Sequence, residues 1–176
     1  MHNKTNFNAT RFFELLTKTN KLTTSLDFGF CRVSGLEGFE EALASMQSTT
    51  NFVCVSDIAN GYMELNNSPH CRRVKTVFIA MRHAIDDMDE RTHCMETMQE
   101  IFRQFMSKLI LQKTLLEDHH IYLESRITFN EIDRYFFSGC ACAFFQIATI
   151  VHTDLQHQDK EWYNEAFNTA FSECFE

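Results

Sequence analysis

The chain has 176 residues, 44% of them hydrophobic and 23% charged, which is enough apolar material for one ordinary globular core and too much for a disordered chain. Sixteen lysines and arginines stand against twenty-four aspartates and glutamates, a net charge of −8, so a broad basic face for DNA or RNA phosphates is disfavoured. Eighteen phenylalanines, five glycines and a single proline leave little material for long irregular loops and predict long, regular elements.

Asn8 to Thr17 opens with capping residues and puts Phe12, Phe13, Leu15 and Leu16 on one broad face, which predicts a short helix. Asp27 to Val33 reads as a strand, Ser34-Gly35 as a turn, and Leu36 to Met46 as an amphipathic helix through Leu36, Phe39, Leu43 and Met46. Asn51 to Ile58 reads as a strand. Asn60-Gly61 is a hairpin signal, with Tyr62 to Leu65 as the returning strand. Val74 to Met81 is apolar on both faces at its centre, the pattern of a central strand.

Asp86 to Glu117 repeats apolar residues every three or four positions and crowds Asp86, Asp87, Asp89 and Glu90 at its start, where the helix dipole favours acids. One main helix is expected there. Ile121, Leu123, Ile127 and Phe129 then alternate with polar residues as in a half-buried strand, with Ser125 the weak place on its inner side. Phe136 to Asp154 reads as a long strand, central in its middle part. After a polar break at Gln156 to Lys160, Trp162 to Phe175 spaces Tyr163, Phe167, Phe171 and Phe175 four apart, as in a docking helix. Strands in runs rather than in alternation with helices predict an α+β fold: an antiparallel sheet packed against one long helix and shorter N-terminal helices. Residues 1–155 are expected as a single domain and 156–176 as an aromatic-rich C-terminal tail.

No catalytic constellation is visible, and no cofactor is expected. His119-His120 are adjacent, so on a strand they would face opposite ways, and they read as capping or surface residues. Cys140 and Cys142 share a face but lack the further ligands a structural zinc needs, and Ala141, Ala143 and Phe144 around them mark a core. His152 and His157, with Asp154 and Asp159, read as a solvated break rather than a metal site. Asp57, Asp86, Asp87 and Asp89 could hold magnesium, but acids at a helix start have a sufficient reason in the dipole. His70-Cys71-Arg72-Arg73 with Lys75 is the one dense basic cluster. It reads first as a charged strand edge, and otherwise as a contact for an acidic neighbour or for nucleic-acid phosphates in an assembly, or as an activated Cys71. The first twenty residues are polar and carry no export signal, so the seven cysteines are expected as reduced thiols. Cys140 to Val151 is too short and too interrupted to span a bilayer, and no membrane partner is expected.

From Val53-Cys-Val-Ser-Asp57 to Leu155 the order of elements resembles the small neck and tail-completion (tail-terminator) proteins of tailed bacteriophages and prophages. The stretches that carry the resemblance are Arg72-Arg-Val-Lys-Thr-Val-Phe-Ile-Ala-Met81, the long helix, Arg126-Ile-Thr-Phe-Asn-Glu-Ile-Asp133 and Phe136-Phe-Ser-Gly139 leading into the final strand. The resemblance covers well over half of the chain. It implies a homo-oligomeric ring, commonly hexameric, that ends the tail tube and joins tail to head. It also implies contacts with neighbouring tail-tube or neck proteins, and a place in the virion after synthesis in the host cytoplasm. A surplus of aromatic residues suits subunit contacts, with Trp162, Tyr163, Phe167 and Phe171 as one candidate surface and Arg72, Arg73 and Lys75 as a second, polar one. The other readings are a small metal- or thiol-dependent enzyme using Cys71 or the groups near His152, and a peptide-binding adaptor with an open sheet edge.

Overall fold

The computed structural model describes residues 7–34, 38, 51–56, 60–66, 68–84, 86–132, 140–153, 163 and 171. Helix α1 (Ala9–Thr19) starts where the Asn8 side chain accepts the Arg11 backbone N–H at 2.9 Å, and it buries Ala9, Phe13, Leu16 and Thr17 along one stripe. Asn20 ends α1 and also caps α2 (Lys21–Ser25), its Oδ1 accepting from the N–H groups of Leu22 and Thr23. Asp27, in the left-handed region at φ 51°, turns the chain into β1 (Phe28–Val33). The helix expected at Leu36 to Met46 lies outside the described residues, apart from Gly38, which is helical.

Strands β2 (Asn51–Ser56), β3 (Asn60–Glu64), β4 (His70–Arg82), β5 (Ile121–Leu123), β6 (Phe129–Glu131) and β7 (Cys140–His152) complete one seven-stranded sheet. Its main path runs β1-β2-β4-β7-β5, with β3 beside the first half of β4 and β6 beside β7. The fold is α+β. Every pairing is antiparallel except one: β1 and β2 run parallel, so the expected antiparallel sheet is in fact mixed. A parallel pair cannot close through a tight hairpin, and 17 residues lie between Val33 and Asn51.

Three other expectations are corrected. Asn60-Gly61 is not a hairpin turn back onto β2; both residues belong to β3, which pairs with β4. A Cβ on Gly61 would fall 1.8 Å from the Arg72 carbonyl oxygen, so the glycine serves close backbone approach instead of a turn. The expected long helix is α3 (Met88–Leu111), but its last stretch is a separate short helix, α4 (Lys113–Asp118), beyond Gln112, whose N–H donates to the Leu109 carbonyl oxygen at 3.1 Å. The single strand expected over Ile121 to Phe129 is β5 and β6 with a bow between them. From Leu123 to Phe129 the chain advances six residues while the β7 partners advance only four, from Thr149 to Phe145. Because the excess is even, Phe129 returns to the same side of the sheet as Leu123.

Among the described residues, α1 and α3 cover one side of the sheet. α3 buries Cys94, Met95, Met98, Ile101, Phe105 and Leu109 over β4 and β7, in one cluster with Val77, Ile79, Ala143, Phe145 and Ile147, while α1 packs on β1 and β2. Phe13 of α1 closes the layer, its ring centroid 5.6 Å from Phe145 and 6.1 Å from Phe105. Each such fully buried ring contributes on the order of 2–3 kcal/mol by removal from water. On the other side of the sheet Val33, Phe52, Cys54, Phe78, Ala80, Cys140 and Cys142 form a second buried cluster. Neither cluster includes a residue from His70 to Arg73 of β4, where charged side chains crowd the strand.

Candidate functional site

The cationic stretch His70 to Lys75 lies inside β4, and alternation along a strand sends neighbouring side chains to opposite faces. The surface expected from Arg72, Arg73 and Lys75 is therefore divided. Arg72 faces away from the helices; Arg73 and Lys75 share the face that carries Val77 and Ile79 further along. Lys75 Nζ donates to the Ser56 carbonyl oxygen at 2.8 Å, and Arg73 is exposed.

On the Arg72 side the sheet builds a polar and aromatic surface. Arg72 donates from Nε to one carboxylate oxygen of Glu124 and from Nη2 to the other, the latter at 2.8 Å. Glu124 comes from the bow after β5, where its backbone N–H still bonds to the Ala148 carbonyl oxygen. The Arg72 guanidinium also sits 5.8 Å from the centre of the Tyr62 ring on β3, a cation–π distance. Tyr62 stands edge-on to His70 at 6.2 Å, and His70 lies directly across from His152 in the β4–β7 register. Tyr122 of β5 pairs with Ile150, which pairs with Arg72. Tyr62 and Tyr122 are about half exposed.

The ion pair governs the electrostatics here. The Arg72 hydrogen bond holds the Glu124 carboxyl below the ordinary carboxylate range, and Glu124 in turn raises Arg72. The bidentate carboxylate also fixes the orientation of the planar guanidinium. Glu124 and Tyr62 were not singled out in the sequence; 52 residues separate Glu124 from Arg72, and only the strand pairing joins them.

Of the aromatic tail, Trp162 and Phe167 lie outside the described residues; Tyr163 is 91% exposed and Phe171 47%. Three apolar side chains around the junction of α3 and α4 are also open to solvent: Ile110 at 68%, Leu111 at 71% and Leu115 at 54%. His119 and His120 are exposed in the turn before β5, where the His119 N–H closes the helix end on the Leu116 carbonyl oxygen and His120 takes φ 58°. Cys140 and Cys142 are core residues, and burial pushes both thiols up, Cys140 to about 11. Asp86, Asp87 and Asp89 are exposed, and Asp87 caps α3 by accepting the Glu90 N–H at 2.8 Å. Asp57, Asp154, His157 and Asp159 lie outside the described residues. Among the described residues no three histidine, cysteine or carboxylate groups gather as a metal site, and no helix is long and apolar enough to cross a membrane. No protein-family model matches the chain, and comparison with curated proteins finds no match.

Proposed function

We propose that the chain is a structural subunit of a phage-like particle, forming a homo-oligomeric ring at the neck or tail end as a tail terminator or head–tail connector. It acts by assembly with itself and with neighbouring tail-tube or neck proteins, in the virion, and not by catalysis. The observation that carries this reading is the exposed apolar group Ile110, Leu111 and Leu115, three large side chains within six positions at one end of the long helix. Clustered apolar surface of this kind marks contact with another protein more often than a solvated face. Tyr163 and Phe171 add exposed aromatic area in the tail. An α+β fold with a long helix packed on the sheet accords with the resemblance of Val53 to Leu155 to that class.

Light scattering after size exclusion, with negative-stain images of the same peak, tests it. The wild-type chain is expected as a ring of several subunits. Replacing Ile110 and Leu111 together by Lys is expected to leave monomers whose urea stability stays within ~0.5 kcal/mol of wild type, as for exposed positions. A wild-type monomer at every concentration overturns the proposal, as does an assembly indifferent to the double substitution.

A further inference from the structure

Strands β1 and β2 pair in parallel with Cys31 directly opposite Cys54, so both side chains leave the same face of the sheet. Their sulfur atoms are 2.8 Å apart. That is well inside the roughly 3.5–4.0 Å at which non-bonded carbon atoms rest, and within a short movement of the ~2.05 Å of a disulfide. Neighbouring strands stand about 4.7–4.9 Å apart, within the range of about 4.4–6.8 Å that a disulfide spans between Cα atoms, so the backbone need not shift. The two thiols differ in access. Cys54 is fully buried, while Cys31, on the terminal strand of the sheet's main path, is half-buried.

Their chemistry differs in the same sense. The hydrogen bond from the Cys54 thiol stabilises a thiolate on Cys31 and lowers its pKa, whereas Cys54, holding the shared proton in a buried site, is raised. Burial also raises Cys94, Cys140 and Cys142. An accessible, acidified sulfur beside a buried partner is the arrangement of an attacking and a resolving cysteine.

We propose that Cys31 and Cys54 form a thiol–disulfide modification site, in which Cys31 reacts with a small-molecule disulfide of the glutathione class and Cys54 resolves the adduct into a bond stapling β1 to β2. In the first step the Cys31 thiolate attacks one sulfur of the small disulfide, forming a mixed disulfide and expelling one thiolate. In the second, Cys54 gives up its proton and attacks the Cys31 sulfur, expelling the other thiolate. Both released thiolates take up protons. Two protein thiols and one small disulfide thus become one protein disulfide and two small thiols, with two electrons passing from the protein to the small molecule. The site is independent of the proposed ring, since both sulfurs belong to one chain.

The test uses the full chain, reduced, freed of reductant and incubated with oxidised glutathione at neutral pH. Remaining thiols are alkylated, and tryptic peptides are read by mass spectrometry; cleavage after Arg32 separates Cys31 from Cys54, and fragmentation locates the link within peptide 33–72, which also carries Cys71. The expected result is a linked pair joining Cys31 to Cys54, with alkylation of both falling at least ~10-fold while half-buried Cys71 stays alkylated. Cys54→Ser should stop at a glutathione adduct on Cys31, and Cys31→Ser should leave Cys54 unmodified. Wild-type protein in which both sulfurs stay free, in which Cys31 holds a persistent adduct, or in which Cys54 pairs with another cysteine overturns the proposal. The wild-type reading stands even if either variant folds poorly.

Discussion

The strands β4 and β7 pair through thirteen consecutive positions, and the two ends of that ladder are unlike. At one end Val77, Phe78, Ile79 and Ala80 meet Cys142 to Phe145, and nearly every side chain is buried on both faces of the sheet. At the other end His70, Arg72 and Arg73 meet Thr149, Ile150 and His152, and the surface is ionic, aromatic and for the most part half-buried. The backbone pairing is the same throughout. Backbone pairing therefore sets geometry along the whole length, while stability concentrates where apolar area leaves water.

The difference can be broken from the apolar end first. Phe145 has no exposed surface and touches the rings of both Phe13 and Phe102, at 5.6 and 5.0 Å. Phe145→Ala is expected to cost about 3–5 kcal/mol in urea unfolding, from lost transfer energy and the cavity left behind. At the polar end the largest effect comes from the backbone. Gly61→Ala forces a methyl group against the Arg72 carbonyl oxygen and is expected to cost ~1–3 kcal/mol. Because β3 contacts the sheet through β4, that loss should show as faster amide hydrogen exchange in residues 60–64 and 70–74, with little change in α3.

The smallest effect belongs to the ion pair. Arg72 and Glu124 are each about a quarter to a third exposed, so solvent screens them, and Glu124→Gln is expected to cost at most about 1 kcal/mol at neutral pH. Since the folded state holds the Glu124 carboxyl below its ordinary value, its contribution is complete above the unfolded carboxylate range. It is lost as pH falls through the lowered folded value. Acid titration of stability in wild type and Glu124→Gln should therefore converge at low pH, and parallel curves would show that the pair contributes nothing.

Much of the apolar half was legible in the sequence. Periodicity in α1 and α3, the two-sided apolar runs of β2, β4 and β7, and the core character of Cys140 and Cys142 all follow from side-chain patterns. The failures share one cause, since they depend on what a residue meets from elsewhere in the chain. Asn60-Gly61 has the composition of a turn, and only the approach of β4 explains the glycine. Leu109 and Leu116 continue one apolar repeat across Gln112, so no breaker announced the division of α3 from α4. Ser125 marked the weak point of its strand, but the two-residue excess emerges only from the register with β7. The candidate surface was half legible: Arg72 stood out by its charge, while Glu124 and Tyr62 gain meaning only as its neighbours. The Cys31–Cys54 contact needed the parallel register of β1 with β2.

The β4–β7 pairing also governs the order in which the molecule can be made. Arg82 and Cys140, at the near end of the ladder, are 58 residues apart in the chain, and His70 and His152, at the far end, are 82 apart. During synthesis β4 emerges long before its principal partner, with one edge and much apolar surface unmet, while α3 can form locally. Contacts so distant in sequence form slowly, because loop closure is costly before pairing compensates for it. A chain released before residue 140 would present the exposed edge of β4 to any other strand nearby, including the same strand of a second nascent copy.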